Sequence, residues 1–377
     1  MKITEVKLYV LEHPTRKASS HNIVQVPNLR RIQYTHEGAR TDLPLRQNFI
    51  EVCTDEGICG RANTSIDPYQ ASIIRRHVLG RDPFEREALF QMFQKGTRWV
   101  YQKPGYFGEF DNCLWEITAK AANLPVYALI GRVRDAIPVY LTGGDAPLED
   151  YVLAIENARQ CGINAYKVHT YKGGKADMLI LQALREAVGP DYTLIADPVS
   201  SYTLREAIEV GHHMEELDYL WLEEPMFEQK MNLYQELCRE LTIPVMGTEM
   251  LMHDMDLNAQ WLIQGATDRL RANARHGTTQ VLKLAHLAEL YNTNIELNGQ
   301  GGLFGLVHAH LECCIDNNDY YEYFGSGTGE SNRLAGQEWG LMNAPLVENG
   351  CLAPEDTPGW GAVWDEDKFQ SMVVQVL

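Results

Sequence analysis

The sequence predicts an α/β fold: a closed (β/α) barrel of the TIM type, modified by an α+β capping domain built from the N-terminal region and the C-terminal tail. Three observations carry this. From about residue 136, short apolar runs recur every ~22–29 residues, each followed by a helix-like segment, which is the rhythm of repeated β/α units. Residues 1–130 and 345–377 lack that rhythm and are assigned to the cap and to a tail that docks on it, leaving 131–344 for the barrel. No Gly-x-Gly-x-x-Gly follows the first apolar run, which removes the main support for an open doubly wound sheet.

Within the cap, Ile3, Val6, Leu8 and Val10 mark a first strand, and residues 49–53 pair with 58–60 across the turn at 55–57. The connection at 13–47 is polar and reads as a long loop. Helical patterning follows at 69–79, 85–95 and 110–122. The barrel strands are expected at 137–141, 165–168, 193–196, 219–222, 244–246, 269–270, 294–297 and 320–321. Thr203 and Glu206 form a capping box at the start of one intervening helix, and Val281, Leu284, Ala285 and Ala288 give another its apolar face.

Composition narrows the class. The 377 residues carry 33 Lys+Arg against 51 Asp+Glu, a net charge of −18, and no basic tail, which argues against a nucleic-acid or anionic-membrane partner. No apolar run is long enough for a membrane span and the first residues lack a signal peptide's apolar stretch, so a cytoplasmic protein is expected. The eight cysteines form no Cys-x-x-Cys pair and read as free thiols in a reducing compartment.

Chemistry is concentrated at the predicted strand ends. Asp197, Glu223 and Glu249 each follow an apolar run, at intervals of 26 residues, one β/α unit apiece. Consecutive barrel strands bring such positions together at the face where barrel active sites form. Three carboxylates at close range repel, and a hard divalent cation relieves this; oxygen ligation with room for water and substrate suits Mg²⁺. Lys167 and His169 sit one residue apart on the second strand, so alternation points both to the same, inward face.

These residues resemble the enolase superfamily, and within it the mandelate racemase-like acid-sugar dehydratases and racemases. The resemblance spans nearly the whole chain and includes Leu114-Trp115-Glu116, the run from Leu124 to Gly131, and Pro358-Gly359-Trp360-Gly361. It implies that Asp197, Glu223 and Glu249 bind Mg²⁺, with Glu224 behind them. It implies that the base removing a proton α to a carboxylate is Lys167 or His169, since Lys167-Val168-His169 stands where relatives carry Lys-x-Lys. Glu322, on the eighth strand, matches the acid that hydrogen-bonds the substrate carboxylate, a task best done protonated. The product expected is a 2-keto-3-deoxy acid, formed through an enediolate and loss of water, in a homo-oligomer.

The pattern breaks at the Asp–His dyad of many relatives, whose positions are Arg271 and Gly302 here. This disfavours a racemase with bases on both faces. Arg271 either binds a distal substrate carboxylate or pairs with a neighbouring acid. Asn298 and Gln300 offer neutral hydrogen bonds to sugar hydroxyls; His308 and His310 read as packing residues and His276 as a weak candidate acid. The stretch from Lys17 to Arg46 holds five Lys/Arg against two acids and matches the family's mobile specificity loop, with His21, Arg30, Arg31, His36, Arg40 and Arg46 as possible contacts. Two other readings stand beside the dehydratase: a racemase, epimerase or cycloisomerase on the same site, and a non-catalytic relative that binds metal and carboxylate.

Overall fold

The computed structural model describes residues 1–19, 22–26, 31–35, 40–299, 301–325 and 330–377. The N-terminal strands are β1 (Ile3–Ser19), β2 (Asn22–Val26), β3 (Arg31–Thr35), β4 (Arg40–Thr54) and β5 (Cys59–Asn63). The barrel strands are β6 (Ile137–Thr142), β7 (Ala165–His169), β8 (Thr193–Asp197), β9 (Leu222–Glu223), β10 (Val245–Gly247), β11 (Arg269–Ala272), β12 (Ile295–Leu297) and β13 (Tyr321–Phe324), followed by β14 (Cys351–Leu352) and β15 (Val373–Val376).

In the cap, β1, β4 and β5 form an antiparallel sheet that the last strand, β15, extends along β1. Strand alternation serves two cores. Val6, Leu8, Ile50 and Val52 pack on the helices Pro68–Val78, Arg86–Val100 and Gly108–Ala122. Tyr9, Leu11 and Phe49 face the opposite way, onto Trp339, Phe369 and Met372 of the C-terminal region.

Two expectations for the cap are corrected. The segment 13–47 is not one long loop: β1 runs to Ser19 and pairs with β4 as far as Lys17↔Pro44 and Ser19↔Arg40, and β2 pairs with β3. The described outer part of this ribbon lies beyond the core, so its side chains need no apolar alternation and the periodicity signal vanishes. His21, Arg30 and His36, and the side chains of Arg31 and Arg40, lie outside the described residues, whereas Arg46 pairs with Glu12 at 2.9 Å. Nor are all eight cysteines free thiols. Cys53 and Cys59 stand opposite each other across the β4–β5 hairpin, 4.2 Å apart at Cα, and form a disulfide. The hairpin turn itself lies where the sequence puts it, with Gly57 at φ 74°.

The barrel follows the expected order. Its ladder runs β12-β11-β10-β9-β8-β7-β6-β13, so the first and eighth strands are parallel neighbours in a curled sheet. The β12–β13 seam carries no ladder among the described residues, and Asn318 Nδ2 bonds the Ile295 carbonyl across it at 3.0 Å. Helices follow the strands, including Leu204–Glu216 with its Thr203–Glu206 capping box and Thr278–Leu290 with the expected apolar face buried. Among the described residues no helix is long and apolar enough to cross a membrane.

Inside the barrel, alternation stacks side chains in layers. Tyr140, Ala165, Ile195, Trp221 and Met246 form a closed apolar layer. Two residues further along the same strands come Thr142, Lys167, Asp197 and Glu223, joined by Arg271 and Glu322. All six are buried.

Candidate active site

Asp197 and Glu223 are the last residues of β8 and β9, and Glu249 opens a 3₁₀ turn two residues beyond β10. They do not meet at one point. Among the described residues no three His, Cys, Asp or Glu side chains cluster closely enough to hold an ion. The Lys167 ammonium stands between the acids, 3.2 Å from Asp197 Oδ2, 2.9 Å from Glu223 Oε1 and 2.6 Å from Glu322 Oε1. Close carboxylates repel, and each takes a cation where one is in reach.

Arg271 is the second cation. Its side chain is fully buried; Nη2 lies 3.0 Å from Glu223 Oε1 and also bonds Glu322 Oε2, while Nε reaches Glu249 Oε2 at 3.3 Å. Nη1 contacts Tyr140 Oη at 3.2 Å and the Leu297 carbonyl at 3.3 Å. Of its two readings, pairing with neighbouring acids is the one the geometry supports. The distal-carboxylate role would require the guanidinium to give up these partners, since each of its nitrogens is committed inside the barrel. Asn298 is also buried; its Oδ1 accepts from Asn273 Nδ2 at 3.2 Å. Gln300 lies outside the described residues.

Electrostatics follow from these contacts. Burial opposes the Lys167 charge, but Glu223 and Glu322 outweigh it and hold the ammonium well above the usual lysine range. Burial likewise favours a protonated Glu322, yet Arg271 and Lys167 pull it down to about 2. Its oxygens are held by Lys167 and Arg271, contacts that favour the carboxylate over the protonated form the resemblance implies. Gly299 closes over it, its N–H donating to Glu322 Oε2, and a Cβ at Gly299 would fall 2.6 Å from Glu322 Cγ. Glu224 is buried and is pushed well above the carboxylate range by burial and by Glu249 and Asp197.

His169 lies at the rim, its side chain 14% exposed. Its Nδ1 is 2.6 Å from the Gly143 carbonyl and 3.0 Å from Thr142 Oγ1. A carbonyl only accepts, so Nδ1 carries the proton and Nε2 is the atom presented to Asp197 Oδ2, 3.1 Å away. Burial pulls the imidazole pKa down, but Asp197 outweighs it and leaves it raised. Thr142, which pairs in register with Lys167, went unnoticed in the sequence although it shares the inward face of β6.

The other histidines lie elsewhere. His308 Nε2 accepts from the Ala274 N–H at 3.1 Å and His310 Nδ1 from the Tyr127 N–H at 3.2 Å, both inside the core. His276 ends a 3₁₀ turn after β11, and burial pulls its pKa down to about 4.

Between the cap strands, the segment 301–304 and the C-terminal region lies a cavity of about 850 Å³ walled by Asn48, Asn63, Ser65, Arg16, Arg46 and Arg275 among others; none of the charged-layer residues lines it. Arg16 and Arg46 are paired with Glu338 and Glu12. Arg275 Nε, in contrast, is buried with no hydrogen-bond partner among the described residues. Neither Arg275 nor this cavity was singled out from the sequence, because a lone arginine after a strand carries no periodic signal.

Residues 150–368 match the family model described as Enolase C-terminal domain-like. The chain belongs to the enolase superfamily. A D-galactonate dehydratase family member from Oceanicola granulosus is 25% identical over 373 residues, covering 84% of this chain and 89% of that protein. A D-galactarolactone cycloisomerase from Agrobacterium fabrum is 26% identical over 312 residues, covering 78% of each. Among solved structures, D-glucarate dehydratase from Agrobacterium tumefaciens, complexed with magnesium, aligns over all of both chains with a TM-score of 0.83 at 26% identity. The superfamily assignment thus agrees with the barrel, the cap and the acidic strand ends, while identities near one quarter leave the substrate of this member open.

Proposed function

We propose that this protein is a Mg²⁺-dependent hydro-lyase that dehydrates a sugar acid to a 2-keto-3-deoxy acid. The observation that carries the proposal is the buried layer of opposed acids and cations with a histidine at its rim. Four carboxylates (Asp197, Glu223, Glu249 and Glu322) face two fixed cations, Lys167 and Arg271, leaving two negative charges. That excess and the all-oxygen donor set fit a hard divalent ion. Asp197, Glu223 and Glu249 would hold it; when bound, it supplies a Lewis acid for the substrate carboxylate oxygens as charge develops on them.

His169 is the base in this reading. Its Nδ1 is anchored on the Gly143 carbonyl, which fixes the ring, and Nε2, which faces Asp197 at 3.1 Å, would be free to accept a proton once Asp197 is committed to the metal. Lys167, its ammonium paired with three carboxylates, is a poor proton acceptor in this reading and serves to hold Asp197, Glu223 and Glu322 together. His169 takes the C2 proton and, as imidazolium, returns it to the C3 hydroxyl, which leaves as water as the C3–O bond breaks. The resulting enol becomes the 2-keto acid by gaining a proton at C3. The cavity beside the cap, with amide and hydroxyl side chains and an Arg275 Nε that lacks a hydrogen-bond partner among the described residues, is compatible with a polyhydroxylated anion.

A cycloisomerase is the second reading, favoured by the galactarolactone cycloisomerase among the relatives; it shares the proton abstraction and differs in what leaves. A homo-oligomer in the cytoplasm completes the proposal, with light scattering as the test of assembly. The function is tested by incubating the enzyme and Mg²⁺ with a panel of aldonates and aldarates and assaying keto acid. Turnover of at least one, strongly reduced in His169→Ala, is expected. Full metal occupancy with no turnover of any sugar acid sinks the proposal.

A further inference from the structure

Arg271 does something the proposed chemistry does not require. It binds two of the three proposed metal ligands at once, Glu223 at 3.0 Å and Glu249 at 3.3 Å, and a guanidinium cannot be titrated away in the working pH range. We propose that Arg271 is a tethered competitor for the metal: in the metal-free enzyme its guanidinium cross-links Glu223 and Glu249, and a divalent cation binds by displacing it from both. This rests on the metal ligands proposed above.

The surroundings make such a displacement feasible. Arg271 has a second set of partners that are not proposed ligands: Glu322 Oε2, Tyr140 Oη and the Leu297 carbonyl. A guanidinium that withdraws from Glu223 and Glu249 therefore keeps hydrogen bonds and a counter-charge in the same buried space. Lys167 has a parallel arrangement, since it leans on Glu322 as well as on Asp197 and Glu223. Glu322 is then the acid on which both cations are retained when the ligand face is given up. The arrangement also explains how four carboxylates fold side by side before any ion arrives: two built-in cations offset half their charge. The cost is weaker metal affinity, because each incoming dication meets a fixed positive charge and must break two ion pairs.

The test is calorimetric titration of Mg²⁺, and separately Mn²⁺, into the full-length wild type and Arg271→Met, with no substrate and no activity readout. Removing the competitor should tighten binding at least about tenfold, as expected for deleting a unit charge a few ångströms from a dication. An arginine that served only packing would, on removal, lower the melting temperature without tightening metal binding. Binding to wild type with equal or weaker binding to a folded Arg271→Met overturns this inference and leaves the ligand set standing. Binding by neither protein overturns the ligand set and this inference with it. If Arg271→Met does not fold, crystals of the wild type with and without Mn²⁺ decide. A guanidinium released from Glu223 and Glu249 in the Mn²⁺ form supports displacement, and one still hydrogen-bonded to either overturns it.

Discussion

Two layers of side chains lie inside the same barrel strands, two residues apart, and they are opposites. The lower layer, Tyr140, Ala165, Ile195, Trp221 and Met246, is apolar and closed. The upper one, Thr142, Lys167, Asp197, Glu223, Arg271 and Glu322, contains five ionisable groups in direct contact. Both are buried, so burial alone does not separate structure from chemistry in this molecule. What separates them is that the lower layer gains stability from removing apolar area, whereas the upper one recovers desolvation only through its ion pairs. The layers also touch: Trp221 Nε1 donates to Glu223 Oε2 at 3.1 Å, and Tyr140 Oη meets Arg271. The apolar layer is therefore a floor that orients the acids above it.

The sharpest way to break this contrast is in the upper layer. His169→Ala should lower kcat/KM by about 10²–10⁴-fold, the usual worth of a positioned base, with little change in melting temperature because the ring is at the rim. Lys167→Ala should abolish activity and also destabilise the fold by about 3–5 kcal/mol, since it leaves buried carboxylates short of a counter-charge. Steady-state kinetics paired with calorimetry on both variants separates the two effects. In the lower layer, Trp221→Ala should cost about 3–5 kcal/mol through the cavity it opens. Trp221→Phe keeps most of the volume but deletes the donor to Glu223, and should cost about 1.5–3 kcal/mol, the range for a hydrogen bond to a charged group. Denaturant melts measure both.

How much of this was legible in the sequence follows the same division. The strand rhythm, the Thr203–Glu206 cap and the ends of β8, β9 and β10 could be read because period and flanking residues agree there. The acids were recognisable as a set by their one-unit spacing. Their partners were not: nothing in the spacing says that Arg271 turns inward onto Glu223, Glu249 and Glu322, because that depends on how eight strands tilt and close. The cations that meet Glu322 were hidden for the same reason, since Lys167 and Arg271 come from other strands. In the cap, the β1–β4 ribbon was hidden because exposed strands carry no apolar alternation. The Cys53–Cys59 bond was within reach, because the hairpin read from the sequence already places those residues opposite one another.

Smaller effects sharpen the comparison further. His308 and His310 are the buried counterpart of His169: each accepts a backbone N–H, and burial pulls their pKa values down to about 3 and about 4. With folded-state values below the ordinary 6.5, their contribution to stability is fully present above about pH 6.5 and is lost as pH falls toward 4 and below. The melting temperature should therefore drop steadily over that window, and His308→Gln should flatten the slope by about one proton's worth. The smallest effect is expected for Cys53→Ser, at most about 2 kcal/mol, because the disulfide closes a short loop already paired as a hairpin. Thermal melts with and without reductant give that number directly.

The central claim, that the charged layer removes an α-proton and then expels water, is tested most directly by following a turned-over sugar acid by proton NMR in deuterated water with Mg²⁺ present. The account predicts loss of the C2 proton signal together with a 2-keto-3-deoxy product carrying one deuterium at C3. Recovered sugar acid with deuterium at C2 and no keto product would contradict it, because abstraction would then occur without elimination.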